Sequence, residues 1–185
     1  MTQSERDELM QIIRELSYEE REVTLASGRK SNFYFDGKQT TLHAKGGLLV
    51  GKAFYEEVRQ FEGPIDGVGG LTLGADPIAT ATSIAATLAG QNIHAFIIRK
   101  EPKGHGTGQW LEGRKNLPAG SRVVIVEDVT TTGGSSMKAV ERAREEGLEV
   151  VGIVTLVDRE EGARDNIEKE GIALRSVFTR SQVVG

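Results

Sequence analysis

Residues 123–136 read VVIVEDVTTTGGSS, an apolar run followed by two adjacent carboxylates, Glu127 and Asp128, and then a cluster of Thr, Gly and Ser. The second half suits an anion. Backbone N–H groups at the start of a helix carry partial positive charge, Gly133 and Gly134 allow close approach, and the hydroxyls add donors. The first half should repel that same anion. A strand–turn–helix with a solvated polar cap would carry the same residues, so the pattern alone leaves both readings open. The two halves are reconciled if the ligand joins an anion to a vicinal diol, because each carboxylate oxygen accepts an O–H bond. A ribose 5-phosphate has that form. Two commoner cradles fail on spacing. No window matches G-x-x-x-x-G-K-[ST], and Gly67 and Gly69 are followed by Thr72 where G-x-G-x-x-G needs its third glycine.

Other charged groups also follow apolar runs. Arg99 and Lys100 follow HAFII, and Asp158 and Arg159 follow VVGIVTLV. Between them, residues 100–113 form a glycine-rich segment with Lys100, Lys103 and His105, and Arg114 just beyond it. Glycine leaves many backbone states open, so a flexible loop is expected there. By itself such a loop is an ordinary basic surface segment. His43 and His94 have no comparable context and are read as structural.

The elements that must position these groups follow from periodicity. Ser4 is expected to cap a first helix whose apolar stripe is Leu9, Ile12, Ile13 and Leu16. Residues 22–43 read as short strands, NFYF the clearest. Helices are expected over 46–61, over LGADPIATATSIAATLAG with Pro77 in the first turn and Gly90 at the end, and over GGSSMKAVERAREEG closed by Gly147. From about residue 65 strands alternate with helices, and the strands are near-continuous apolar runs. That predicts an α/β fold with a central, mostly parallel sheet flanked by helices. Ligands of such sheets bind at the carboxyl ends of the strands, where the charged residues above fall.

Composition bounds the rest. Apolar residues at 38% and charged residues at 27% are ordinary for one soluble domain. The net charge of −4 gives no bulk attraction to nucleic acid, so an anion site must be local. With no cysteine, disulfides, thiol nucleophiles and Cys-based zinc sites are excluded, which suits a reducing cytoplasm. The charged, amphipathic N-terminus lacks a signal-peptide core, and residues 78–89 are too short and too polar to span a bilayer.

The stretch VVIVEDVTTTGGSS resembles the 5-phosphoribosyl 1-diphosphate (PRPP) motif of type I phosphoribosyltransferases. Three further segments resemble the orotate phosphoribosyltransferases: LASGRKSNFYFDGK their base-site segment, RKEPKGHGTG their mobile catalytic loop, and TLVDREEG their V-D-R-x-E-G segment. Order and spacing match along nearly the whole chain. The resemblance implies a single domain over 1–185, with a small hood formed mainly by residues 20–45 and the C-terminal segment, and a mobile loop over 100–113. It implies transfer of the phosphoribosyl group of PRPP to orotate, with Mg²⁺ held mainly by PRPP and water rather than by a protein cage. A cytoplasmic homodimer sharing the loop across subunits is implied, with neither nucleic acid nor membrane as partner.

The resemblance also assigns roles. Lys103, His105 and Asp128 are the catalytic candidates, Lys103 first. PRPP contacts fall on Arg99, Lys100, Lys103, His105, Glu127, Asp128, Val129, Thr130, Thr131, Thr132, Gly133, Gly134 and Ser135. Orotate contacts fall on Thr131, Arg159, Tyr34 and Phe35, the arginine facing the orotate carboxylate. Two cations common in the family are missing: Ala26 precedes SGRKS, and the loop after the strand near residue 69 carries Thr72 and Leu73. Lys30 or Lys38 is expected to substitute, and the 70–74 segment to serve the pyrophosphate through its backbone. A purine phosphoribosyltransferase would share the acid pair but has no need of Arg159. A PRPP-sensing regulator would be expected to lose the loop cations or gain a DNA-binding segment, and the sequence shows neither.

Overall fold

The computed structural model describes residues 1–24, 30–102 and 109–185. Helix α1 (Gln3–Ile12) is capped by Thr2 rather than Ser4. Glu5 lies three residues after Thr2 and returns the bond to its N–H, closing a capping box. The helix widens into a π-type turn over Ile13–Ser17. Leu9 and Ile13 are buried, while Leu16, the last residue of the expected stripe, is exposed.

Strands β1 (Tyr18–Thr24) and β2 (Lys30–Phe35) pair antiparallel as a small separate sheet, Tyr18 opposite Phe35. Strand structure ends there, short of the expected residue 43. Asp36 accepts the backbone N–H of Lys38 and turns the chain into the short helix α2 (Lys38–Thr41). His43 then caps α3 (Ala44–Val58), its Nδ1 accepting the N–H of Gly46 at 3.1 Å.

The main sheet has six strands in the order β5-β4-β3-β6-β7-β8. They are β3 (Gly67–Leu71), β4 (His94–Ile98), β5 (Leu111–Glu112), β6 (Arg122–Thr130), β7 (Glu149–Asp158) and β8 (Ala173–Thr179). All neighbours run parallel except β5 on β4, so the sheet is mostly parallel as expected. Strand β5 falls inside what reads as a long loop, because two residues carry no periodicity to detect. The remaining helices are α4 (Ala75–Leu88), α5 (Gly134–Glu145), α6 (Ala163–Glu168) and α7 (Arg180–Val184).

The central strand β6 divides two cores by its alternation. Val124 and Val126 pack with Leu49, Phe54 and Ile78 of α3 and α4. Val123 and Ile125 pack with Ala139, Val140 and Ile167 of α5 and α6. All four valine and isoleucine side chains are at most 1% exposed, each contributing roughly 1.5–3 kcal/mol. This packing fixes the register of the two acids that follow.

Candidate active site

The alternation of β6 continues past the core, so its two acids face opposite sides of the sheet. Glu127 lies on the α5 face, where the Ser136 hydroxyl donates to its carboxylate. Burial pushes the Glu127 carboxyl up to about 7; the Asp128 charge adds to the rise and Ser136 opposes it. Asp128 lies on the α2/α4 face, 9% exposed. It is wedged between two backbones: a Cβ added at Gly37 would lie 2.7 Å from Asp128 Cβ, and one at Gly74 would lie 2.7 Å from Oδ1. Burial raises its pKa as well, and the Lys38 charge works against that rise. The N–H of Val129 donates to Asp128 Oδ1 at 3.0 Å.

After Thr130 the chain turns through 131–133 into α5. Gly133 has φ +85°, a left-handed conformation that L side chains rarely adopt, and it sets the start of the helix. Asn166 Nδ2 donates to the Thr132 carbonyl at 3.0 Å and pins the turn to α6. The Thr130 hydroxyl is buried without a hydrogen-bond partner among the described residues. A Cβ at Gly134 would meet nothing within 4 Å, so the helix start is open to a ligand.

On the opposite side, residues 72–74 link β3 to α4. Thr72 Oγ1 donates to Asp76 Oδ2 at 2.7 Å, and Asp76 Oδ1 is buried without a partner among the described residues. Leu73 is 66% exposed. Arg99, Lys100, Thr72 and Asp76 line a cavity of about 450 Å³. Arg99 pairs with Glu112 at 3.0 Å, an exposed pair of small energetic weight. Lys38 lies at the start of α2, with Nζ 2.6 Å from Asp36 Oδ1. Arg114 faces elsewhere, donating to the Leu117 and Glu146 carbonyls.

Strand β7 brings Arg159 to the turn: Asp158 is the register partner of Thr130, and the Arg159 N–H donates to the Thr130 carbonyl at 3.0 Å. The guanidinium pairs with Glu161 at 2.9 Å, and Nη2 donates to the Phe33 carbonyl at 3.3 Å. Strand alternation puts Phe33 and Phe35 on one face, stacked with centroids 5.9 Å apart, while Arg21 sits 3.8 Å over the Tyr34 ring. Arg159 and Arg180 lie 5.2 Å and 5.3 Å from the Phe33 centroid. Phe33 is therefore the aromatic that meets Arg159, and it is not among the expected orotate contacts. The period of NFYF places 33 and 35 together but does not say which face Arg159 meets. The structure thus brings together Glu127, Asp128, the 130–135 turn and Arg159, and sets Arg99 and Lys100 across the 72–74 loop. Lys103 and His105 lie outside the described residues.

A family model for the phosphoribosyl transferase domain matches residues 38–179. The orotate phosphoribosyltransferase of Aquifex aeolicus is 48% identical over 187 residues, covering 100% of both chains. That of Bradyrhizobium diazoefficiens is 49% identical over 179 residues, 96% of this chain and 95% of its own. Among solved structures, the Mycobacterium tuberculosis H37Rv orotate phosphoribosyltransferase in complex with PRPP superposes with a TM-score of 0.81 at 40% identity, covering 98% of this chain and 99% of that one. An acid pair at the end of a central parallel strand, an open helix start beside it and full-length similarity of this degree agree, and the chain belongs to the orotate phosphoribosyltransferase family.

Proposed function

We propose that the protein transfers the 5-phosphoribosyl group of PRPP to orotate, giving orotidine 5′-monophosphate and pyrophosphate, a step of pyrimidine nucleotide synthesis. The observation that carries this reading is the end of β6: a carboxylate on each face, Asp128 buried and Glu127 partly buried, directly followed by an open helix start. The turn 130–135 takes the 5′-phosphate on backbone N–H groups and hydroxyls. Glu127 and Asp128 take the ribose hydroxyls. As the C1–oxygen bond breaks, the diphosphate leaves with the electron pair and the ribose gains oxocarbenium character. Fixed negative charge at Asp128 favours that state over the ground state. The orotate N1 lone pair forms the new bond to C1, and the N1 proton is lost to water.

Arg159 is assigned to the orotate carboxylate, which its planar five-donor fork suits. Phe35, on the Phe33 face, is better placed than Tyr34 to pack against the pyrimidine. Arg99, Lys100, Lys103 and His105 are assigned to the diphosphate, with Lys103 the first choice for the catalytic group. Among the described residues no three His, Asp or Glu side chains converge as a metal cage. The unpartnered Oδ1 of Asp76 and the carboxylate of Asp128 fit instead the outer hydration of an Mg²⁺ held by PRPP oxygens. When bound, that ion would neutralise charge on the leaving diphosphate.

The same proposal treats residues 1–185 as one domain, with β1 and β2 as the hood. It places the protein in the cytoplasm, in keeping with a chain that has no cysteine. Among the described residues no helix is long and apolar enough to cross a membrane. A homodimer is part of it too: Leu42, Leu48, Ile84 and Leu88 are 49–80% exposed along α3, α4 and the turn before them, an apolar surface that a second copy would cover.

The test is loss of orotate absorbance on addition of PRPP and Mg²⁺. Turnover with orotate is expected. No turnover with orotate, but turnover with a purine base, would overturn the assignment.

A further inference from the structure

Three carboxylates crowd the diphosphate side of the site. Asp128 is held between Gly37 and Gly74, Asp36 immediately precedes Gly37, and Asp76 opens α4. A substrate anion seated against them needs positive charge from side chains, because the 72–74 loop supplies Thr72, Leu73 and Gly74 and no cation. Arg99 and Lys100 stand on one side of that loop, across Thr72 and Asp76. On its other side stands Lys38. It shares with Leu73 and Asp76 the wall of a second cavity of about 520 Å³, and its charge is the one that opposes the rise at Asp128. Its side chain is 42% exposed, so the pair with Asp36 is weakly held and the ammonium, on a flexible stem, is free to exchange partners.

We infer that Lys38 is a diphosphate-binding residue, whose ammonium leaves Asp36 when PRPP binds and takes an oxygen of the diphosphate, completing with Lys100 a pair of cations on either side of the 72–76 segment. The inference rests on the reading of the protein as a PRPP enzyme. Charge-assisted bonds to a diphosphate oxygen are stronger than a half-exposed carboxylate pair, which gives the exchange its direction. Because Leu73 lines the same cavity, a lysine placed there would deliver an ammonium to the same space.

The experiment is calorimetric titration of the purified protein with pyrophosphate and Mg²⁺ and, separately, with orotidine 5′-monophosphate, which lacks the diphosphate. Lys38→Ala should weaken pyrophosphate roughly ten-fold and leave the nucleotide within about two-fold. Lys38→Arg should retain most of the affinity. Asp36→Asn, which frees the lysine, should bind pyrophosphate at least as tightly as the parent. Adding Leu73→Lys to Lys38→Ala should recover affinity. The inference is overturned if Lys38→Ala binds pyrophosphate normally or weakens both ligands alike. It is overturned too if Asp36→Asn loses as much as Lys38→Ala, since the ion pair and not the ligand would then explain the residue. If the parent protein binds neither ligand, the PRPP reading itself fails and the inference with it.

Discussion

On the proposed function, the two faces of β6 hold negative charge by different means. On the α5 face the cradle is backbone: a left-handed Gly133, an open Gly134 and a twelve-residue helix behind them. On the α2/α4 face the tools are side chains. Asp128 is clamped between two glycines, with the Lys38 charge acting on it, and Arg99 and Lys100 stand further off, across Thr72 and Asp76. A helix start is a fixed partial charge that needs no rearrangement, which suits a phosphate that stays on the ribose throughout. Mobile cations suit a diphosphate that arrives, gains charge and leaves.

Asp128→Asn breaks this contrast most severely. The amide keeps the shape that Gly37 and Gly74 accommodate and removes the charge proposed to favour the oxocarbenium. With substrates saturating, kcat should fall by about 10²–10³. Thermal stability should hold or rise, because burial already disfavours the charged carboxylate. A kcat within a few-fold of the parent would reduce Asp128 to a wall of the site.

Glu127 tests the other face through pH. Burial moves its carboxyl from the ordinary value of 4.5 to about 7 in the fold. Between those values the folded chain keeps a proton that the unfolded chain has released. The associated stability is therefore complete below pH 4.5, is lost as pH rises toward about 7, and changes no further above it. The loss has a ceiling of about 3 kcal/mol, and admitted water will reduce it. Glu127→Gln keeps an acceptor for Ser136 and should remove Glu127's share of the decline, so that the gap between unfolding free energies measured by urea at pH 5 and pH 8 narrows. A slope unchanged in the variant would place the titrating group elsewhere.

Much of this site is legible in the sequence, because its chemistry is local. The acid pair, the turn and the helix start are contiguous, and Arg159 follows an apolar strand whose length predicts where it ends. Other parts depend on contacts the chain makes far from itself. Phe33 meets Arg159 across 126 residues, and no periodicity names that partner. The sequence offers Lys38 only as a substitute, alongside Lys30, for the two missing family cations. It reaches the site because Asp36 bonds its N–H and starts α2 there. Ser4 lost the cap to Thr2 because the capping box needs the glutamate three positions on, and that glutamate is Glu5. The raised pKa values of Glu127 and Asp128 come from burial, which their acidic neighbours in sequence do not reveal.

The mildest test compares one glycine on each face. At Gly74 an added methyl would approach Asp128 Oδ1 to 2.7 Å and its Cγ to 3.1 Å, so either the carboxylate or the 72–74 loop must shift by a few tenths of an ångström. At Gly134 the same methyl meets nothing within 4 Å, and the residue opens α5 at a conformation open to alanine. Gly74→Ala should therefore cost about ten-fold in kcat/KM for PRPP, displacement of a positioned group being expensive. Gly134→Ala should gain about 0.5 kcal/mol in stability through the unfolded chain and lose less kcat/KM for PRPP than Gly74→Ala, since its methyl displaces no protein group. Steady-state kinetics and urea unfolding on the two variants decide it. Equal losses in kcat/KM at both positions would mean that the cradle is as tightly fitted as the acid clamp, and the distinction between a fixed face and an adaptable one would go.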